Sequence, residues 1–129
     1  MSGGLSDGKE TWEAGRKIGQ REWQIIESVL KQFEKFSPEK IVLFGSFGTP
    51  AYRPGRSDID LCVITKTENK IETLSDMYTY VELGIPFDIL LYTPEEWDKC
   101  ITDPGTFAHQ IDKSGMVLYG EGKTKDNTL

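Results

Sequence analysis

Apolar residues recur along the chain at two periods, and the switches between those periods outline its elements. From about Thr11 to Phe33, Ile18, Ile25, Ile26, Val29, Leu30 and Phe33 fall three, four and seven residues apart, the spacing that gathers side chains on one helical face. A long amphipathic helix is predicted there. Lys40 to Phe44 (KIVLF) is a short β-branched and aromatic run cut off by Gly45, as a buried strand entering a tight turn would be. In Asp58 to Ile64 (DIDLCVI) the period is two, so Ile59, Leu61 and Val63 face one side of a strand and Asp58 and Asp60 the other. Ile71, Leu74, Met77, Tyr78 and Val81 return to helical spacing, and Gly84 follows where a left-handed cap is expected. Ile85 to Tyr92 (IPFDILLY) reads as a third strand. After it, Thr93 can cap a helix, Pro94 can open it and Glu96 can complete a capping box. Asp103-Pro104-Gly105 breaks that helix, a short one follows through Ile111, and Gly115 precedes a last apolar run from Met116 to Tyr119. The order predicts an α/β (α+β) fold, a small mixed sheet with helices packed mainly on one face.

Length and composition narrow this picture. With 129 residues, 37% of them hydrophobic, the chain has material for one core. No linker or repeat divides it, so one domain over 1–129 is expected, with a core of about 11–120. The first ten residues and the last ten are polar and are expected to fray. The 21 acidic against 15 basic residues give a net charge of -6, which repels a free polyanion and argues against DNA or RNA as the main substrate. A mononucleotide escorted by magnesium needs only a local site. Cys62 and Cys100 stand apart from each other and from His109, without zinc spacing. The sequence carries no apolar leader and no run of roughly 20 apolar residues, so the expectation is a soluble cytoplasmic protein that does not enter the membrane.

Three features carry chemistry. Gly45 at the end of a buried strand lets the backbone approach a ligand, and Ser46 adds a hydroxyl beside exposed amides. Taken alone, a Gly-Ser pair usually does no more than turn the chain. Asp58 and Asp60 leave the same strand face about 7 Å apart along the backbone, within reach of a shared metal cluster. An isolated pair of this kind is usually a solvated strand face. Asp88 changes the balance, because it interrupts an apolar strand between Phe87 and Ile89. Three acids brought together without cations repel each other. Magnesium, which takes one or two carboxylates with water and phosphate oxygens, removes the conflict. A calcium loop starting at Asp58 fails, since Val63 stands where it needs Gly and Asn69 where it needs Glu. A Walker-type loop fails for want of its Gly-Lys-Ser/Thr ending. His109 reads as a packing or surface residue and Cys62 as a small buried thiol.

The segments KIVLFGS, SDIDLCVI and FDILLYTPEEW together resemble the minimal nucleotidyltransferases of the DNA polymerase beta superfamily, over roughly Ile41 to Gly120. The resemblance implies that Gly45 and Ser46 bind a nucleoside triphosphate, with ATP the expected donor. It further implies that Asp58, Asp60 and Asp88 hold two magnesium ions, and that a nucleotide is transferred to a hydroxyl acceptor. Arg53 and Arg56 are candidate triphosphate contacts in the intervening loop. By the same analogy the partner would be a small helical HEPN-type protein in a toxin-antitoxin pair, and there is room for an oligomer. The chain departs from the family pattern in a loop one residue longer between Ser46 and Asp58, and in Gly48-Thr49-Pro50 where a small residue, Arg and Gly are common. The rival reading is a nucleotide-binding or protein-interaction module of the same fold with little turnover.

Overall fold

A computed structural model of the chain describes residues 11–121; the ends expected to fray lie mostly outside them. The first departure from expectation comes at once. In place of one helix from Thr11, the chain forms a hairpin of β1 (Thr11–Glu13) and β2 (Arg16–Ile18), and helix α1 runs only over Gln20–Phe33. The cause is local: Ala14 and Gly15 both take positive φ, 51° and 77°, as a two-residue hairpin turn requires. Gly19 then stops the strand, and its N–H is met by Glu22 Oε1 at 3.0 Å in the first turn of α1. Ile18, which has the spacing of the helical face, reaches the core from β2 instead.

Four strands build the main sheet: β3 (Lys40–Phe44), β4 (Ile59–Ile64), β5 (Phe87–Tyr92) and β6 (Met116–Tyr119), in the order β5-β4-β3-β6. β3 is antiparallel to both neighbours, whereas β4 and β5 run parallel. Parallel strands need a crossover, which helix α2 (Lys70–Tyr80) supplies. Its N-cap is Asn69, whose Oδ1 accepts from Glu72 N at 3.0 Å. The helix ends at Tyr80, so Gly84, at φ 77°, turns the chain toward β5 and does not cap the helix directly. Ile71, placed by spacing on the packed face, is 84% exposed in the first turn.

Strand alternation divides the interior in two. Ile41, Leu43, Ile59, Leu61, Val63, Ile89 and Leu91 pack on one face with Ile26, Val29 and Phe33 of α1 and Met77 of α2, forming the larger cluster. Val42, Cys62 and Ile64 pack on the other face with Trp97 of α3 (Pro94–Ile101) and Ala108 and Ile111 of α4 (Phe107–Ser114). The start signal read at Thr93 is realised: Thr93 Oγ1 accepts from Glu96 N at 3.2 Å, and Glu96 Oε1 accepts from Thr93 N at 3.0 Å. Burial pushes the Cys62 thiol up to about 12, in keeping with a packing role. His109 Nδ1 lies 2.8 Å from Ile101 O and ties α4 to α3.

Gly115 links α4 to β6 where the backbone passes close to the sheet. A Cβ there would lie 2.5 Å from Val42 Cγ1 and 2.6 Å from Ile111 O. Gly115→Ala should therefore destabilise the fold by about 1–3 kcal/mol through overpacking, read as a lower urea midpoint at unchanged slope; an unchanged midpoint would contradict this packing.

Candidate active site

The sheet register assembles the candidate residues. Phe44, the last residue of β3, is paired with Asp60 on β4, and Asp60 is paired with Asp88 on β5. Because β3 is antiparallel to β4 and β4 parallel to β5, the end of the first strand meets the beginnings of the other two. The Gly45-Ser46 turn and all three aspartates thus come to one edge of the sheet. Asp58 immediately precedes β4, so its side chain leaves on the same side as that of Asp60. Carboxylate oxygens of Asp58, Asp60 and Asp88 all lie within 4.8 Å of one another.

That arrangement has an electrostatic cost. Burial in the first place, then the charges of Asp58 and Asp88, hold the Asp60 carboxyl above its ordinary value, against a lowering pull from Arg16. A set of hard oxygen donors this close, one of them disfavoured as an anion, fits a divalent cation.

The turn fits tightly against this cluster. Gly45 has φ 78°, a left-handed conformation that favours glycine. A Cβ on it would also come within 2.9 Å of Asp60 Cγ, so turn and carboxylate are in close register. The Ser46 carbonyl accepts from Thr49 N at 2.8 Å and Thr49 Oγ1 at 2.7 Å, closing the turn. Arg53 donates to Pro50 O at 3.0 Å within its own loop. Arg56 is exposed, and among the described residues neither arginine forms an ion pair with the three acids.

Two residues that matter to the site were not singled out by sequence. Arg16 is only 6% exposed; its Nη1 donates to Gly45 O at 2.7 Å and to Phe47 O at 2.8 Å, pinning the turn from behind. Burial pulls this guanidinium below its ordinary value while Asp60 opposes the shift. The available signal was Arg-Lys-Ile between Gly15 and Gly19, an alternating triplet bracketed by turn residues. Tyr78 was read only for its helical spacing. Its hydroxyl donates to Asp88 Oδ1 at 2.7 Å and accepts from Ile89 N at 2.7 Å. Burial first, then the bond to Asp88, raises the Tyr78 phenol above its ordinary value, so it stays protonated and able to donate.

A cleft of about 380 Å³ opens beside the cluster, lined by Arg16, Phe44, Gly45, Asp60, Phe107 and Ser114 among others. The Phe44 and Phe107 rings meet edge to face at 5.5 Å on its wall. A larger hollow of about 650 Å³ between α1 and β6 includes none of the aspartates, so size alone does not mark the chemistry. Among the described residues no helix is long and apolar enough to cross a membrane.

A mixed sheet thus carries a glycine turn and, at the same edge, three clustered carboxylates whose oxygens fit a divalent metal. The model of the nucleotidyltransferase domain family matches residues 24–105, a span that includes Gly45, Ser46 and the three aspartates, and the chain belongs to that family. No curated protein matches the chain.

The raised Asp60 carboxyl gives a test without any ligand. The ionised form of a group whose folded pKa is raised weakens the fold, so stability is greatest below the unfolded value and is lost as pH rises through the folded one. At neutral pH, Asp60→Asn should melt above the wild type when metal is chelated, and acidification from neutrality should narrow the gap. Magnesium should stabilise the wild type but not the variant. A chelated variant that melts below wild type at pH 7 would contradict the electrostatic reading.

Proposed function

We propose that this nucleotidyltransferase transfers a nucleoside monophosphate, AMP from ATP, to a hydroxyl acceptor. The observation that carries the reading is the cluster of Asp58, Asp60 and Asp88 within 4.8 Å beside the Gly45 turn, in a chain of the nucleotidyltransferase domain family. Asp58 and Asp60 would hold the magnesium that arrives with the triphosphate, and all three acids a second ion. When bound, magnesium neutralises the clustered acids and the charge that develops on the phosphate oxygens. The turn amides and the Ser46 hydroxyl hold the triphosphate, with Arg53 and Arg56 as further contacts from the loop. Asp88 takes the proton of the acceptor hydroxyl. The acceptor oxygen bonds to the α-phosphorus, the bond to the bridging oxygen breaks, and pyrophosphate leaves with the electron pair.

The acceptor we propose is a side-chain hydroxyl of a small helical HEPN-type protein, paired with this chain as toxin and antitoxin in the cytoplasm. The resemblance read in KIVLFGS, SDIDLCVI and FDILLYTPEEW supports this partner. The acidic balance, a net charge of -6, favours a protein over a free nucleic acid as acceptor.

Magnesium and ATP together should stabilise the fold by about 2.7 kcal/mol at 100 times the dissociation constant, and ATP with chelator far less. Thermal unfolding with ATP, GTP, CTP and UTP, each with magnesium or chelator, reads this; no shift with any nucleotide would sink the binding site. Asp88→Asn should keep much of the stabilisation while label transfer from α-labelled ATP falls by about 100- to 10,000-fold. Equal labelling of the partner by wild type and Asp88→Asn would refute the assignment. Nucleotide binding without labelling by wild type would favour the non-catalytic module.

A further inference from the structure

Asp60 and Asp88 share one site but are held in different ways. Asp60 is half-buried, paired across two strands and pressed by the Gly45 turn. Asp88 lies exposed on β5, the end strand of the sheet, where an unbraced carboxylate would sample several rotamers. The described hydrogen bond that restrains it comes from Tyr78 on α2.

The direction of that bond is fixed by chemistry. A backbone N–H can only donate, so the phenol oxygen must accept from Ile89 N, 2.7 Å away. The single hydroxyl proton is then committed to Asp88 Oδ1, also at 2.7 Å. The ring is set as well, stacked on Phe87 with centroids 5.5 Å apart and planes 17° from parallel. Tyr78 is thus anchored to the residue before Asp88 and to the one after it.

We propose that Tyr78 is a positioning residue, whose hydroxyl holds Asp88 Oδ1 so that Oδ2 is presented to the second magnesium ion and to the acceptor. The proposal rests on the reading of the three aspartates as a metal-holding site. It deepens that reading by naming the outer residue that orders Asp88, an exposed member of the cluster. A carboxylate already directed by a neutral donor keeps its charge, and it binds metal without the loss of rotamer freedom that a loose one incurs.

The experiment is a manganese titration of the intact chain with α,β-methylene-ATP present, followed by the free-ion resonance signal, with thermal unfolding of each variant measured alongside. Wild type should take up two ions. Tyr78→Phe keeps the ring and its stack but loses the hydroxyl; it should bind the first ion within about twofold of wild type and the second about 10- to 100-fold more weakly. Trp97→Leu, in the core on the opposite face of the sheet, serves as the control for mere destabilisation: it should melt lower while the second ion binds as in wild type. Tyr78→Phe that keeps wild-type affinity for both ions, or that weakens both equally, would overturn the positioning role. A wild type that takes up no manganese would instead sink the metal-site reading itself, a result distinct from either of these.

Discussion

Mutual repulsion among three carboxylates is the constraint around which this structure is arranged. One carboxylate oxygen from each of Asp58, Asp60 and Asp88 lies within 4.8 Å of the other two, and water screens such a group poorly when one member is half-buried. The fold does not allow them to separate. Phe44, Asp60 and Asp88 are consecutive partners across three strands, and slipping the register by one residue would turn Ile59, Leu61 and Val63 out of the core. Burial of the sheet's larger face therefore holds the acids together at the expense of local electrostatic stability. A donor set built this way fits a divalent cation, which would offset that repulsion.

The surroundings of the acids serve the same end by different means. Arg16 lends positive charge to Asp60 while its guanidinium fixes the carbonyls of Gly45 and Phe47. The turn is thereby held in the left-handed conformation that lets it pack against the Asp60 carboxylate. Tyr78 meets Asp88 with a neutral donor, which orders the side chain without cancelling its charge. Near the half-buried Asp60 the fold places a cation, and near the exposed Asp88 a hydroxyl.

Much of this was legible in the sequence, for physical reasons that also explain what was not. The strands and the three acids stood out because a polar residue in an apolar, period-two run is conspicuous, as Asp88 is between Phe87 and Ile89. The Thr93 capping box was equally plain, since its partners are three residues apart. The N-terminal hairpin was obscured because its strands are only three residues each and Ile18 happens to lie one helical repeat before Ile25. Arg16 and Tyr78 act through tertiary contacts, to residues 29 and 31 positions away for Arg16 and 10 and 11 for Tyr78. No local period encodes such contacts, so they were visible only once the register had been built.

The most direct test of the central claim is to locate the cation. Crystals grown with manganese and α,β-methylene-ATP would be measured at the manganese edge and the anomalous density examined at the sheet edge. The account predicts ions coordinated by carboxylate oxygens of Asp58, Asp60 and Asp88, at distances near the roughly 2.1 Å typical of magnesium, with phosphate oxygens on the side of the Gly45 turn. Nucleotide bound elsewhere, or manganese found away from all three aspartates, would contradict it.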